Sequence, residues 1–162
     1  MMGKVDGFSH TQVAVFQEIS EEAVEALTAQ GNTASFEAGD TLFERGQDAE
    51  QLMILREGVV ELLAPVEIMG VTRTVSMETK QAGDVVAWSS LVWPYHFTLS
   101  ARCASRCTFT VFQRKALHDY FERDPLTGYL FMRNLAGVIG RRLQAMHAIW
   151  MHDLQAGATK RL

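Results

Sequence analysis

Val13, Phe16 and Ile19 recur at intervals of three and form a short apolar stripe, the first helical sign along the chain. Ser20 then stands where a helix N-cap belongs. Glu21 and Glu22 follow in the first turn, where the helix dipole favours negative charge, and Val24 and Leu27 supply an apolar face. Gly31 is placed to stop that segment, so two short helices are expected before residue 32. From Asn32 the rhythm changes to short β-rich pieces: Leu42-Phe43, Leu52 to Leu55, Val59 to Leu63, Val71 to Val75, the alternating run Phe97 to Ala101, and Thr108 to Phe112. Turn pairs separate them at Gly39-Asp40, Arg45-Gly46, Glu57-Gly58 and Gly83-Asp84. Such a run predicts an antiparallel sandwich or barrel, with Ala64 to Gly70 at the tip of a hairpin. Helical spacing returns near Gln113, with Leu117, Tyr120 and Phe121 on one face. Asp124-Pro125 restarts the chain with proline at the first helical position. Spacings of three and four then predict one long helix from Leu126 to Gln155.

Composition narrows the class. The 162 residues are 48% hydrophobic and 21% charged, which fits one globular domain over 1–162, a β-roll at about 32–112 and C-terminal helices at about 113–155. A net charge of -4 offers nothing to nucleic acid or an anionic membrane, and the basic pairs Arg141-Arg142 and Lys160-Arg161, with Arg114-Lys115, are too few for an electrostatic footprint. No run approaches the roughly 18 apolar residues of a membrane span. With two cysteines and no apolar leader in Met1 to His10, a cytoplasmic setting is expected.

The order helix, β-roll, long helix carries specific marks: Phe36-x-x-Gly39-Asp40-x-Leu42-Phe43-x-x-Gly46, Met53-Ile54-x-x-x-Gly58, and Gly83-Asp84. With these the chain resembles the cyclic-nucleotide-binding effector domain of the catabolite-activator and fumarate-nitrate-regulator superfamily, from about Phe16 to Leu154. The resemblance implies a mainly β fold with flanking helices. Its centre is a double-stranded β-helix, a jelly roll or cupin-like β-roll, with N-terminal helices before it and a long C-terminal helix after it. The DNA-binding domain of full-length members does not follow in this sequence, so no direct nucleic-acid partner is expected.

In ligand-binding members of that family, the segment matching Gly83 to Ala101 is a phosphate-binding cassette. A Gly-Glu pair opens a short helix there, and an arginine follows a proline. The carboxylate holds the ribose, while backbone N–H groups and the arginine take the cyclic phosphate. This chain departs at both places. Ala87-Trp88 stands for Gly-Glu, and Tyr95 stands for the arginine, or His96 or Phe97 under a longer-loop alignment. No Arg or Lys lies between Gln81 and Ala101, the nearest in sequence being Lys80 and Arg102. An unpaired buried charge is costly, so cyclic AMP and cyclic GMP are expected to bind poorly or not at all.

The candidate ligand-binding residues are therefore Gly83, Asp84, Ala87, Trp88, Ser89, Ser90, Trp93, Tyr95, His96 and Thr98. Together with Phe97, their aromatic rings would either stack on a flat or apolar effector or collapse inward and fill the old nucleotide site. Haem or metal ligation by His96, and a redox role for the cysteines, are minor readings. His147 and His152 lie on different faces of a helix, and no cofactor is expected. Cys103 and Cys107 approach only if Ala104 to Arg106 turns; an extended run would hold their Cβ atoms about 13 Å apart. The sequence lacks the nucleophile elbow, Walker loop, His-Glu-x-x-His and Cys-x-x-Cys motifs, so no catalytic residue is assigned.

On the long helix Ile139, Leu143, Met146, Trp150 and Asp153 keep a coiled-coil rhythm, and Leu135, Val138, Arg142, Ala145 and Ile149 keep it on another face. One stripe packs on the roll and the other on a second copy, making a homodimer the expected partner, with a small-molecule effector and a downstream protein besides. Two functions follow: a sensor whose effector shifts the long helix, or a ligand-free dimerisation or interaction module.

Overall fold

The computed structural model describes residues 12–159. Eight strands and three α-helices follow in order: α1 (Glu21–Thr28), β1 (Asn32–Phe36), β2 (Thr41–Phe43), β3 (Gln51–Glu57), β4 (Val60–Ile68), β5 (Val71–Lys80), β6 (Val85–Val86), β7 (Ser100–Cys103), β8 (Cys107–Gln113), α2 (Arg114–Arg123) and α3 (Pro125–Thr159). The strands form two antiparallel sheets, β1-β8-β3-β6 and β2-β7-β4-β5. They face each other as a jelly roll, the fold expected from the glycine turns.

The first sheet is buried on both faces, and β3 explains how. Successive side chains of a strand point to opposite sides. Met53 and Leu55 therefore enter the core between the sheets, while Leu52 and Ile54 enter a second core under the helices. In β8, Phe109 and Val111 face the inner core and Phe112 the helical one. A strand with two buried faces reads as an unbroken apolar run, which Leu52 to Leu55 is.

Both helix boundaries follow local chemistry. The Ser20 hydroxyl accepts from the Ala23 N–H at 3.2 Å and starts α1. At α3, Asp124 accepts from the Thr127 N–H at 3.1 Å and the Thr127 hydroxyl at 2.6 Å, with Pro125 first in the helix. The Thr127 bonds hold the Asp124 carboxyl below the usual carboxylate range. The expected helix at Val13 to Ile19 is a single 3-10 turn, Ala14–Phe16, which packs on α3 through Phe16 and Phe131.

Three details differ from the sequence reading. Gly31 has no left-handed backbone; a Cβ there would lie 2.9 Å from Thr110 and 3.0 Å from Phe112, so close packing requires the glycine. The β4–β5 hairpin is longer than expected, with only Met69-Gly70 between its strands. Pro65 is tolerated because β7 pairs with β4 only through Val60 to Leu63, leaving one side of β4 open beyond them. Phe97 to Leu99 precede strand β7 rather than belong to it. Phe97 instead exchanges backbone hydrogen bonds with Gly46 and Gln47, at 2.8 and 3.0 Å.

Candidate functional site

The segment after β6 begins with strained backbone. Ala87 sits at φ 66°, ψ 30°, the left-handed region where glycine is favoured. A glycine there is what the resemblance implies, so the alignment that puts Ala87-Trp88 at the Gly-Glu pair agrees with the backbone. A 3-10 helix, Trp88–Leu91, follows, and Leu91 drops into the helical core. Ser90 is fully buried with no hydrogen-bond partner for its hydroxyl. A cis Trp93-Pro94 bond and a second left-handed residue, Tyr95, follow.

This geometry divides the candidate residues. Ala87, Trp88, Ser89 and Thr98 line a small cavity between the sheets, together with Phe43, Leu62, Lys80, Val85, Val86, Phe97, Leu99 and Arg142. The remaining candidates lie elsewhere. Gly83, at φ 96°, and Asp84, which accepts from the Gln81 N–H at 2.8 Å, build the turn before β6. Trp93 is 80% exposed. Tyr95 lies under the Arg114 guanidinium at 4.7 Å, and His96 Nδ1 is 2.8 Å from Asp48. Trp93, Tyr95 and His96 thus do not converge with the others on one ligand; of the cassette rings only Trp88 and Phe97 reach the cavity.

The cavity is nearly filled. Phe97 stacks on Phe43 with centroids 3.8 Å apart and planes 14° from parallel. The space left is about 20 Å³, room for about one water molecule. Phe43 was legible as a strand residue, but its partnership with Phe97 arises only when the loop at Gly46 meets the end of the cassette.

Two cations border this space, neither from the cassette. Lys80 ends β5, and its ammonium bonds to Glu78 on the same strand face. A β-bulge between Leu62 and Leu63 shifts the register so that Glu78 lies opposite Leu62, which lines the cavity. Arg142 arrives from α3: its Nε is 2.8 Å from a Glu78 oxygen, and its guanidinium lies 5.8 Å from the Trp88 ring. The Arg142 N–H is not aligned for a hydrogen bond, so this contact is an ion pair. The Lys80 and Arg142 side chains are 9% and 16% exposed. The site is therefore not without cations, contrary to what the cassette alone suggests. Arg102 does not contribute, being paired with Glu61 on the outside at 2.9 Å. Arg142 had a sequence signal: it interrupts the otherwise apolar stripe Leu135, Val138, Ala145, Ile149.

Residues 104–106 turn between β7 and β8 and bring Cys103 against Cys107 as free thiols. Burial first, then the hydrogen bond and charge of Cys107, push the Cys103 thiol up to about 12. Among the described residues no three His, Cys, Asp or Glu side chains converge as a metal site, and no helix is long and apolar enough to cross a membrane.

On α3 the roll covers Leu135 and, in part, Val138, Ile139 and Arg142. Ile139 thus packs internally. Beyond it Leu143, Met146, Ile149, Trp150, Met151 and Leu154 are each more than half exposed.

A model of the cyclic nucleotide-binding domain matches residues 33–124. The chain belongs to the cyclic nucleotide-binding domain family. Among solved structures it is similar to a Geobacter metallireducens GS-15 protein named for cyclic nucleotide binding. The two share 27% identity with a TM-score of 0.66, over 80% of this chain and 91% of that one. A cyclic nucleotide-binding domain from Methylobacillus flagellatus KT superposes with a TM-score of 0.75 at 17% identity, over 84% and 79%. The catabolite activator protein of Thermus thermophilus gives 0.69 at 22%, over 88% of this chain and 63% of that one. No curated protein matches.

Proposed function

We propose that this chain is a non-enzymatic regulatory domain that has kept the cyclic-nucleotide-binding fold and lost cyclic-nucleotide chemistry, acting as a homodimer through α3. The observation that carries this reading is the filled cavity. About 20 Å³ remains between Phe43, Phe97 and Trp88, against roughly 300 Å³ or more for an ordinary small-molecule site. Trp88 occupies the place of the ribose-binding carboxylate, and the two nearby cations are already held by Glu78. A cyclic nucleotide would have to separate the stacked phenylalanines and break the Glu78 contacts before gaining its own.

The exposed stripe Leu143, Met146, Trp150 supports the dimer, because single exposed apolar residues are ordinary but a continuous stripe on one helix is not. A sensor would work by binding one arrangement of α3 better than another. The closed cavity also favours a second reading, a dimerisation module with no ligand. Calorimetry of the full chain with cyclic AMP and cyclic GMP tests the first claim: no heat of binding is expected at millimolar ligand, and micromolar affinity for either refutes it.

A further inference from the structure

Cys103 and Cys107 are the two cysteines of the chain. Cys103 ends β7 in the second sheet, Cys107 opens β8 in the first, and only Ala104 to Arg106 separate them. Alternation along each strand sends both side chains into the core between the sheets. Cys103 enters it with Ala101 from β7, and Cys107 with Phe109 and Val111 from β8. The turn brings the two thiols together, hydrogen-bonded to each other and almost fully buried. The backbone around them is already set for close approach. The Val59 carbonyl accepts from the Ala104 N–H at 2.8 Å and lies 3.3 Å from the Cys107 sulfur. The Ser105 hydroxyl accepts from the Val59 N–H at 3.0 Å and holds the turn against β4. Gly58, at φ 99°, leaves the room that the Cys107 sulfur takes, since a Cβ there would lie 2.7 Å from it. When Cys107 gives up its proton, the Val59 carbonyl keeps the Ala104 bond and is not orphaned.

From this geometry we propose that Cys103 and Cys107 are a reversible disulfide site, oxidised by a peroxide or a low-molecular-weight disulfide, whose bond ties β7 of one sheet to β8 of the other. With hydrogen peroxide, the Cys107 sulfur breaks the O–O bond and becomes a sulfenic acid, releasing one water. The Cys103 sulfur then displaces that hydroxyl, and its proton leaves in a second water. Two thiols and one peroxide thus give one disulfide and two waters, the peroxide taking both electrons. With glutathione disulfide, two exchange steps give the same bond and two molecules of glutathione. The surroundings suit an uncharged product. The charge that reaches the pair is that of Asp40, which is negative and opposes a thiolate. The proposal stands apart from the cavity and holds whether or not that cavity takes a ligand.

The test is made at equilibrium, because burial slows attack on a thiol without changing where the reaction ends. The full chain is held in mixtures of reduced and oxidised glutathione, once folded and once in urea, starting from reduced and from oxidised protein, and is then quenched with acid. Intact mass reads the loss of two hydrogen atoms, and peptide mapping reads the link between Cys103 and Cys107. The folded chain is expected to favour the disulfide at least about tenfold over the unfolded chain. By linkage the oxidised protein should melt about 3–6 °C above the reduced one. Cys103→Ser and Cys107→Ser should show no loss of hydrogen, and under hydrogen peroxide Cys103→Ser should hold a single oxygen on Cys107 that dimedone traps. Should either serine variant fail to fold, the two measurements on the native chain still decide. A disulfide no more favoured in the fold than in urea, or an oxidised chain that melts below the reduced one, overturns the proposal. Oxygen added to one sulfur of the native chain under peroxide, with no linked peptide, overturns it as well.

Discussion

Phe97→Ala should open the cavity that Phe97 closes. The native ring is 8% exposed and lies 3.8 Å from Phe43 in a near-parallel stack. Truncating a buried phenylalanine typically costs about 3–5 kcal/mol, through lost transfer energy and the void left behind. A value near 3 kcal/mol is expected here, because the residue lies at the edge of an existing cavity and not at the centre of the core. About 1 kcal/mol of that is the stack itself. For a chain of this size, that corresponds to a fall in Tm of roughly 6–12 °C. A typical domain has about 5–15 kcal/mol to lose, so the variant should still fold. Thermal and urea denaturation followed by circular dichroism measure the loss, with Trp93→Ala as the control. That side chain is 80% exposed, and its removal should stay within about 0.5 kcal/mol. The enlarged void should also take up benzene or indole, and ligand at ten times its Kd should restore about 1.4 kcal/mol. A loss below about 1 kcal/mol, or equal stabilisation of the native protein by benzene, would falsify the picture of Phe97 as the plug.

Other consequences are checked as directly. Ser20→Ala removes the α1 cap and should lower stability by about 1 kcal/mol in urea denaturation. Trp150→Glu and Leu143→Glu place charges on the exposed α3 stripe; sedimentation should show dimer giving way to monomer, and unchanged mass would remove the dimer proposal. The Cys103 thiol, raised from the ordinary 9.0 to about 12, keeps its proton in the fold after the unfolded chain has lost it. Its contribution to stability is therefore complete below pH 9 and declines as pH rises toward 12, so native Cys103 should resist alkylation at pH 8 while the urea-unfolded chain reacts. Asp124, whose carboxyl is held low by Thr127, should titrate below an ordinary aspartate by NMR. It stabilises the fold above the unfolded value and loses that effect as pH falls through its own, and Thr127→Val should move it upward.

The roll was legible in the sequence because its signals are local. Glycine turns, the run Leu52 to Leu55 and the cap at Ser20 each act within a few residues, and each is found where its chemistry places it. The long helix was legible for the same reason, its period being sustained over many turns. What escaped depends on residues far apart in the chain. Pro65 reads as a strand end unless β7 is known to stop short of it. The cassette, read alone, has no cation, and only the packing of α3 against the roll brings Arg142 over Trp88. The aromatic richness of residues 88–97 looked like one cluster. In the fold Trp93 stands in solvent, Tyr95 lies under Arg114 and His96 pairs with Asp48.

Arg142 is the last α3 residue tied to the roll by a contact described above, and the helix continues through Leu154 with its side chains exposed. Those twelve residues reach about 18 Å at the helical rise. A tilt of about 5° at Arg142 would therefore displace the far end by about 1.6 Å on that rise, which is comparable to the interface shifts of known switches. The overhang acts as a pointer: a change too small to notice at Glu78 becomes, at Trp150 and beyond, large enough to alter how two such helices meet.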